Sequence, residues 1–79
     1  MRIQVLGPGC AKCTELVKRT EAAVSQLALD VTVEKVADIR EIMAFGVMTT
    51  PALVVDGKVR FAGRVPNVDE LAKIITTPA

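Results

Sequence analysis

Arg2-Ile3-Gln4-Val5-Leu6-Gly7-Pro8-Gly9-Cys10-Ala11-Lys12-Cys13 passes from one type of local order to another within a dozen residues. Arg2–Leu6 has the composition of a strand. Gly7-Pro8-Gly9 then interrupts regular structure. From Cys10 onward the apolar period lengthens: Cys13, Leu16, Val17, Thr20, Val24 and Leu27 share one helical face, while Glu15, Lys18, Arg19, Glu21 and Ser25 point elsewhere. Glu15 and Arg19 stand four apart, the spacing of a surface ion pair. A strand that hands over directly to a long amphipathic helix predicts the first half of a β-α-β unit.

Outward from that junction, Val31–Val36 is a second β-rich run. Asp38-Ile39-Arg40-Glu41 has the order of a capping box and predicts a short helix through Ile42 and Met43, ending at Gly46. Ala52-Leu53-Val54-Val55 is continuously apolar, the mark of a strand covered on both faces. Asp56-Gly57 predicts a tight hairpin turn into a strand with Val59 and Phe61 on one side and Lys58 and Arg60 on the other, the cations guarding a sheet edge. Asn67 and Glu70 open a last helix with Val68, Leu71, Ala72 and Ile75 facing inward. The order is β-α-β-α-β-β-α, without repeats or linkers. A right-handed crossover makes the first strand pair parallel and the hairpin makes the last pair antiparallel. The expectation is an α/β fold: a four-stranded mixed sheet with helices on both faces, in one domain spanning residues 1–79.

Composition narrows the function. The chain has 79 residues and a net charge of +1, with basic and acidic residues interspersed, so no concentrated cationic surface is available for a phosphate backbone. Two phenylalanines and no Tyr or Trp make a poor base-stacking platform. Neither a nucleic-acid partner nor a membrane partner is expected, since every apolar run is far shorter than a membrane span. Met1 leads straight into the strand pattern with no cleavage region, and a cytoplasmic location is expected. Apolar residues make up 51% of the chain, so Val, Leu, Ile, Ala and Met must build the core. Met43, Met48, Phe45 and Phe61 are expected there, with Met48 or Val47 able to border the cysteine pair.

Cys10 and Cys13 are the whole cysteine supply, and there is no histidine. In a reducing compartment a close pair points to redox or metal chemistry rather than a structural staple. Without His or a second CxxC, a closed zinc site is not expected, and neither a bound metal nor a cofactor is called for. Three effects favour the thiolate at Cys10: free backbone amides of the first helical turn with the positive end of the helix dipole, the charge of Lys12, and the neighbouring Cys13 thiol as a donor. Cys13 shares the buried face of Leu16 and Val17. Cys10 is therefore the expected nucleophile and Cys13 the resolving thiol. Thr14 is read either as a surface residue or as a hydrogen-bonding neighbour of the thiols, and Arg64 as a solvated charge.

Cys10–Cys13 after the first strand, with Thr49-Thr50-Pro51 before the third, resembles the thioredoxin superfamily. The stretches Gly9–Cys13 and Gly46–Lys58 together look like its small, glutaredoxin-like redox-active disulfide proteins of archaea and bacteria, and the resemblance covers essentially the whole chain. It implies a thioredoxin-like fold and a thiol–disulfide oxidoreductase that reduces or exchanges protein disulfides and serves electron transport and cell redox homeostasis. It further implies re-reduction by a thioredoxin-reductase-like flavoprotein or a small thiol. It also implies that Pro51 is cis and that Thr50 offers its backbone to an incoming peptide. The residues alone leave Pro51 equally able to open a strand in trans. The chain departs from thioredoxins in having Pro8-Gly9 before Cys10 and no Trp. It also carries no acid on Arg2–Leu6, where Gln4 is the nearest polar residue. Gly63-Arg64-Val65-Pro66-Asn67-Val68-Asp69 only partly matches the glutathione-gripping segment of glutaredoxins.

Two other functions compete. A soft-metal carrier for Cu(I)-type ions also places CxxC between a strand and a helix, although such domains run β-α-β-β-α-β and carry a Met where Pro8 and Gly9 stand here. A non-catalytic binding module gated by its disulfide state would share the motif but turn over slowly.

Overall fold

Each element forms where the local chemistry supports it. The computed structural model describes residues 1–77. Strand β1 (Ile3–Leu6) stops at Gly7, helix α1 (Ala11–Gln26) begins after Cys10, and β2 (Val33–Val36) follows. A short helix α2 (Ile39–Ala44), the hairpin β3 (Ala52–Val55) and β4 (Lys58–Ala62), and helix α3 (Val68–Thr76) complete the chain. The strand order is β2-β1-β3-β4, with β1 parallel to β2 and antiparallel to β3, and β3 antiparallel to β4. The sheet is mixed, and β1 lies inside it.

Pleating sends alternate residues of the inner strands to opposite faces. Ile3, Val5, Leu53 and Val55 meet Leu16, Val17, Ala23 and Val24 of α1 and Leu71, Ala72 and Ile75 of α3 in the larger core. Leu6, Val36, Ala52 and Val54 face the other way and are covered by Ile42, with Phe45 and Val47 packed alongside. Helices therefore cover both faces, as expected. The α1 contact face (Cys13, Leu16, Val17, Thr20, Ala23, Val24) follows the 3.6-residue period of its sequence. Thr20 is fully buried and returns its hydroxyl to Leu16 O at 2.7 Å, which satisfies the one polar group on that face.

Helix ends follow the predicted caps with one change. Asn67 Oδ1 accepts from Glu70 N at 2.8 Å, as the sequence predicts for α3. Asp38 Oδ1 accepts from Arg40 N at 2.8 Å, one residue earlier than in the capping box expected with Glu41. At the end of α1, Leu29 N donates to Val24 O and Ala28 N to Ser25 O, a Schellman closure that forces Ala28 to φ 55°.

Three expectations are corrected. Met43 and Met48 do not fill the core: they are 68% and 96% exposed. The α2 helix turns a single buried residue, Ile42, toward the sheet, and that leaves Met43 outside. The predicted alternation along the fourth strand also fails. Asp56 and Gly57 form the two-residue turn with φ of 51° and 80°, the primed geometry that matches strand twist. Beyond it the register slips between Leu53 and Val54, so that Phe61 pairs with Leu53 while Val59 pairs with Val54. This bulge places Val59 and Phe61 on opposite faces, with Phe61 against the larger core and Val59 exposed. β4 is an edge strand that starts with exposed Lys58, in keeping with the expected guarding of the edge.

Candidate active site

The chain order of β1, Gly7-Pro8-Gly9 and α1 sets the two sulfurs at one end of the sheet. Cys10 is the N-cap of α1, with extended backbone (φ −70°, ψ 167°) and no side-chain hydrogen bond to the helix. Its carbonyl already receives Thr14 N at 3.0 Å, which starts the helical ladder, and Thr14 Oγ1 at 3.2 Å. Thr14 is thus an exposed residue bonded to the Cys10 backbone rather than to either thiol. Cys13, three residues on, turns into the buried face and is 4% exposed, whereas Cys10 is exposed. The two sulfurs lie 2.8 Å apart in a hydrogen bond.

Burial and this bond push the two thiols in opposite directions. The Cys10 thiol titrates below the ordinary cysteine range, chiefly because Cys13 Sγ–H donates to it, and further because the backbone N–H groups of Cys13, Lys12 and Cys10 point at it. Burial pushes Cys13 up, and its hydrogen bond to Cys10 adds to the rise. The protons of so close a pair come off in steps that belong to both groups. Of the two thiols, Cys10 is the one shifted toward ionisation and Cys13 the one shifted away from it. The backbone N–H of Lys12 is among the amides that lower the Cys10 thiol.

The loop before β3 comes to the same place. The Thr50–Pro51 peptide bond is cis, Pro51 is buried and Thr50 is half-buried. Gly63 N donates to Pro51 O at 2.8 Å, tying the end of β4 to this loop. Gly7 lies between loop and helix: a methyl group at its Cα position would lie 4.0 Å from Thr50 Cβ and would overlap the Cys13 sulfur. Sequence reading treats Gly7 only as a breaker; its place six residues before Cys13, at a strand end that feeds the helix, is the signal for a closer role. Gln4, the polar residue of β1, is buried on the α2 side of the sheet, the face opposite α1 and Cys13. On the α1 side, a groove of about 390 Å³ reaches Cys13 between α1 and the parallel strands, with Lys18, Glu21 and Lys35 along it.

Arg64 is an exposed, solvated charge, as expected, that pairs with Glu70 at 2.7 Å and lies over the Phe61 ring at 5.2 Å. Arg19 bonds Glu15 at 2.9 Å, as its spacing predicts, and also donates to Val65 O at 3.1 Å. Among the described residues, no three Cys, Asp or Glu side chains gather into a metal-binding group, and no helix is long and apolar enough to cross a membrane.

Comparison with known proteins gives the same architecture a family. The thioredoxin domain family matches residues 1–76. The chain belongs to the thioredoxin family. A thioredoxin of Methanothermobacter thermautotrophicus is 38% identical over 76 residues, covering 96% of this chain and 99% of that protein. A thioredoxin of Methanocaldococcus jannaschii is 35% identical over 69 residues, 87% of this chain and 79% of that protein. The thioredoxin-family match, with a dithiol at the start of α1, makes the protein a thiol–disulfide oxidoreductase.

Proposed function

We propose that the chain, acting as one domain in the cytoplasm, reduces protein disulfides with Cys10 as nucleophile and Cys13 as resolving thiol. The observation that carries this is the asymmetry of the pair: one exposed sulfur at a helix start lies in hydrogen-bond contact with a buried sulfur 2.8 Å away. The Cys10 thiolate attacks one sulfur of the substrate disulfide and displaces the other, which leaves as a thiolate and takes a proton from water. Cys13 then attacks Cys10 Sγ and breaks the mixed disulfide, its proton passing through water to the second substrate sulfur, which leaves as a thiol. Two electrons pass to the substrate, and the chain is left with a Cys10–Cys13 disulfide. Closing from 2.8 Å to bonding distance requires the sulfurs to move by only about 0.8 Å. A thioredoxin-reductase-like flavoprotein or a small thiol would return the electrons.

In this proposal Thr50 and Pro51 line the approach and present backbone to the substrate chain, which the proximity of Thr50 to Gly7 and Cys13 supports. In the same proposal the Lys12 ammonium, two residues from Cys10 in the chain, steers a substrate toward it. The element order, ending in a hairpin and a helix, favours disulfide exchange over the soft-metal carriers that share a CxxC.

The test is trapping on a defined substrate. The Cys13→Ser variant, incubated with a protein whose single disulfide is exposed, is expected to accumulate a mixed disulfide on Cys10, while Cys10→Ser accumulates none. Trapping on Cys13 in the Cys10→Ser variant, with none on Cys10 in the Cys13→Ser variant, would reverse the assigned roles. Stoichiometric Cu(I) binding by the reduced chain without disulfide reductase turnover would replace the function altogether.

A further inference from the structure

We propose that Gly7 is a positioning residue for the exchange reaction: its missing side chain is the seat of Cys13 Sγ and fixes how closely the two sulfurs approach. Glycine is usually required where the backbone takes positive φ. That reason applies to Gly9, Gly46, Gly57 and Gly63, whose φ values run from 79° to 95°, but not to Gly7, which lies outside that region. Space is what excludes a side chain here. A Cβ built on Gly7 falls inside the Cys13 sulfur and lies 2.9 Å from Cys13 Cβ, whereas Gly9, Gly46 and Gly57 have nothing within 4 Å.

The seat cannot retreat. Gly7 N donates to Val36 O at 2.9 Å, continuing the parallel β1–β2 ladder by one residue beyond Leu6. On the other side, Cys13 is held by the first turns of α1, whose Leu16 and Val17 are fixed in the larger core. A side chain at position 7 must therefore move the sulfur. The sulfur's other close neighbour is Cys10 Sγ, so the displacement changes the hydrogen bond that favours the Cys10 thiolate. Thr50 Cβ, 4.0 Å from the same point, adds the loop before β3, so strand end, helix start and loop converge on this one glycine.

The proposal rests on the assignment of Cys10 as attacking sulfur and Cys13 as its partner. The test reads Cys10 without requiring turnover, so failure of that assignment, seen as Cys13 alkylating first, is distinguishable from failure of the seat. Alkylation of reduced protein by iodoacetamide is followed across pH in the wild type, Gly7→Ala, Cys13→Ala and the double variant. Gly7→Ala is expected to slow Cys10 alkylation several-fold at neutral pH and to move the midpoint of its pH profile upward. In the Cys13→Ala background the overlapping sulfur is gone and only the 2.9 Å approach to the Cβ of residue 13 is left, so the same change is expected to move the profile far less. A folded Gly7→Ala with the wild-type profile would overturn the proposal, as would an equal shift in both backgrounds. Should Gly7→Ala not fold, recovery of folding in the double variant supports the seat, and failure to fold of Gly7→Ala combined with Cys13→Gly, which removes the Cβ contact as well, overturns it.

Discussion

Replacing Ile42 with Ala removes the only buried side chain that α2 contributes to the sheet. The smaller core beneath it holds only Leu6, Val36, Ile42, Ala52 and Val54, with Phe45 and Val47 packed at its margin. Three methylene equivalents at about 0.8 kcal/mol each give a transfer loss near ~2.4 kcal/mol. Incomplete collapse of the cavity raises the cost to about 3–4 kcal/mol. Against the roughly 4–12 kcal/mol expected of a chain this size, that loss is large. It corresponds to a fall in melting temperature of about 12–32 °C. Phe45 and Val47 lose their neighbour as well, and they lead directly into Met48-Thr49-Thr50-Pro51. Urea titration gives the stability change, and hydrogen exchange locates it. The amide of Gly46, which donates to Met43 O at 2.9 Å, should lose protection before those of α1. A stability loss below about 1 kcal/mol, or exchange that rises equally in α1, would refute the view that one isoleucine anchors this side of the fold.

Smaller perturbations follow from single contacts. Asn67→Ala removes the acceptor for Glu70 N and is expected to cost about 1 kcal/mol in urea titration, while Asn67→Asp retains most of the stability. Ala28→Gly relieves the positive φ at the end of α1 and should raise stability by about 0.5–1 kcal/mol, measured the same way. Lys12→Ala keeps the backbone amide that points at Cys10 and should leave the pH midpoint of Cys10 alkylation nearly unchanged; an upward shift as large as that of Cys13→Ala would instead make the ammonium a main source of the ionisation.

The legible parts of the sequence are those in which local pattern and tertiary demand agree. The period of Cys13, Leu16, Val17, Thr20 and Val24 states both the length of α1 and which sulfur is sheltered. Asn67 announces α3, and Asp56-Gly57 announces the hairpin. Met43 and Met48 read as core because apolar residues usually need burial, but a six-residue helix over a small core covers too little surface to take them in. The slip between Leu53 and Val54 has no marker in Val59-Arg60-Phe61, since a bulge is set by pairing across the sheet. Gly7 was the least legible part of the site. Its neighbour in space, the Cys13 sulfur, lies one strand-to-helix crossing away, and a glycine beside Pro8 and Gly9 reads first as a turn.

Cys10 ionisation, followed by the pH dependence of its alkylation, tests the account where it is most exposed. A lowered value means that folding favours the thiolate: the stabilisation is present above the unfolded value and is lost as pH falls through the folded one. The wild type should reach half-maximal rate below the pH typical of a free cysteine, Cys13→Ala should move that midpoint upward, and Cys13→Ser, which retains a donor, should move it less. A wild-type midpoint at the free-cysteine value, unmoved by Cys13→Ala, would contradict a nucleophile created by its neighbour and the helix start.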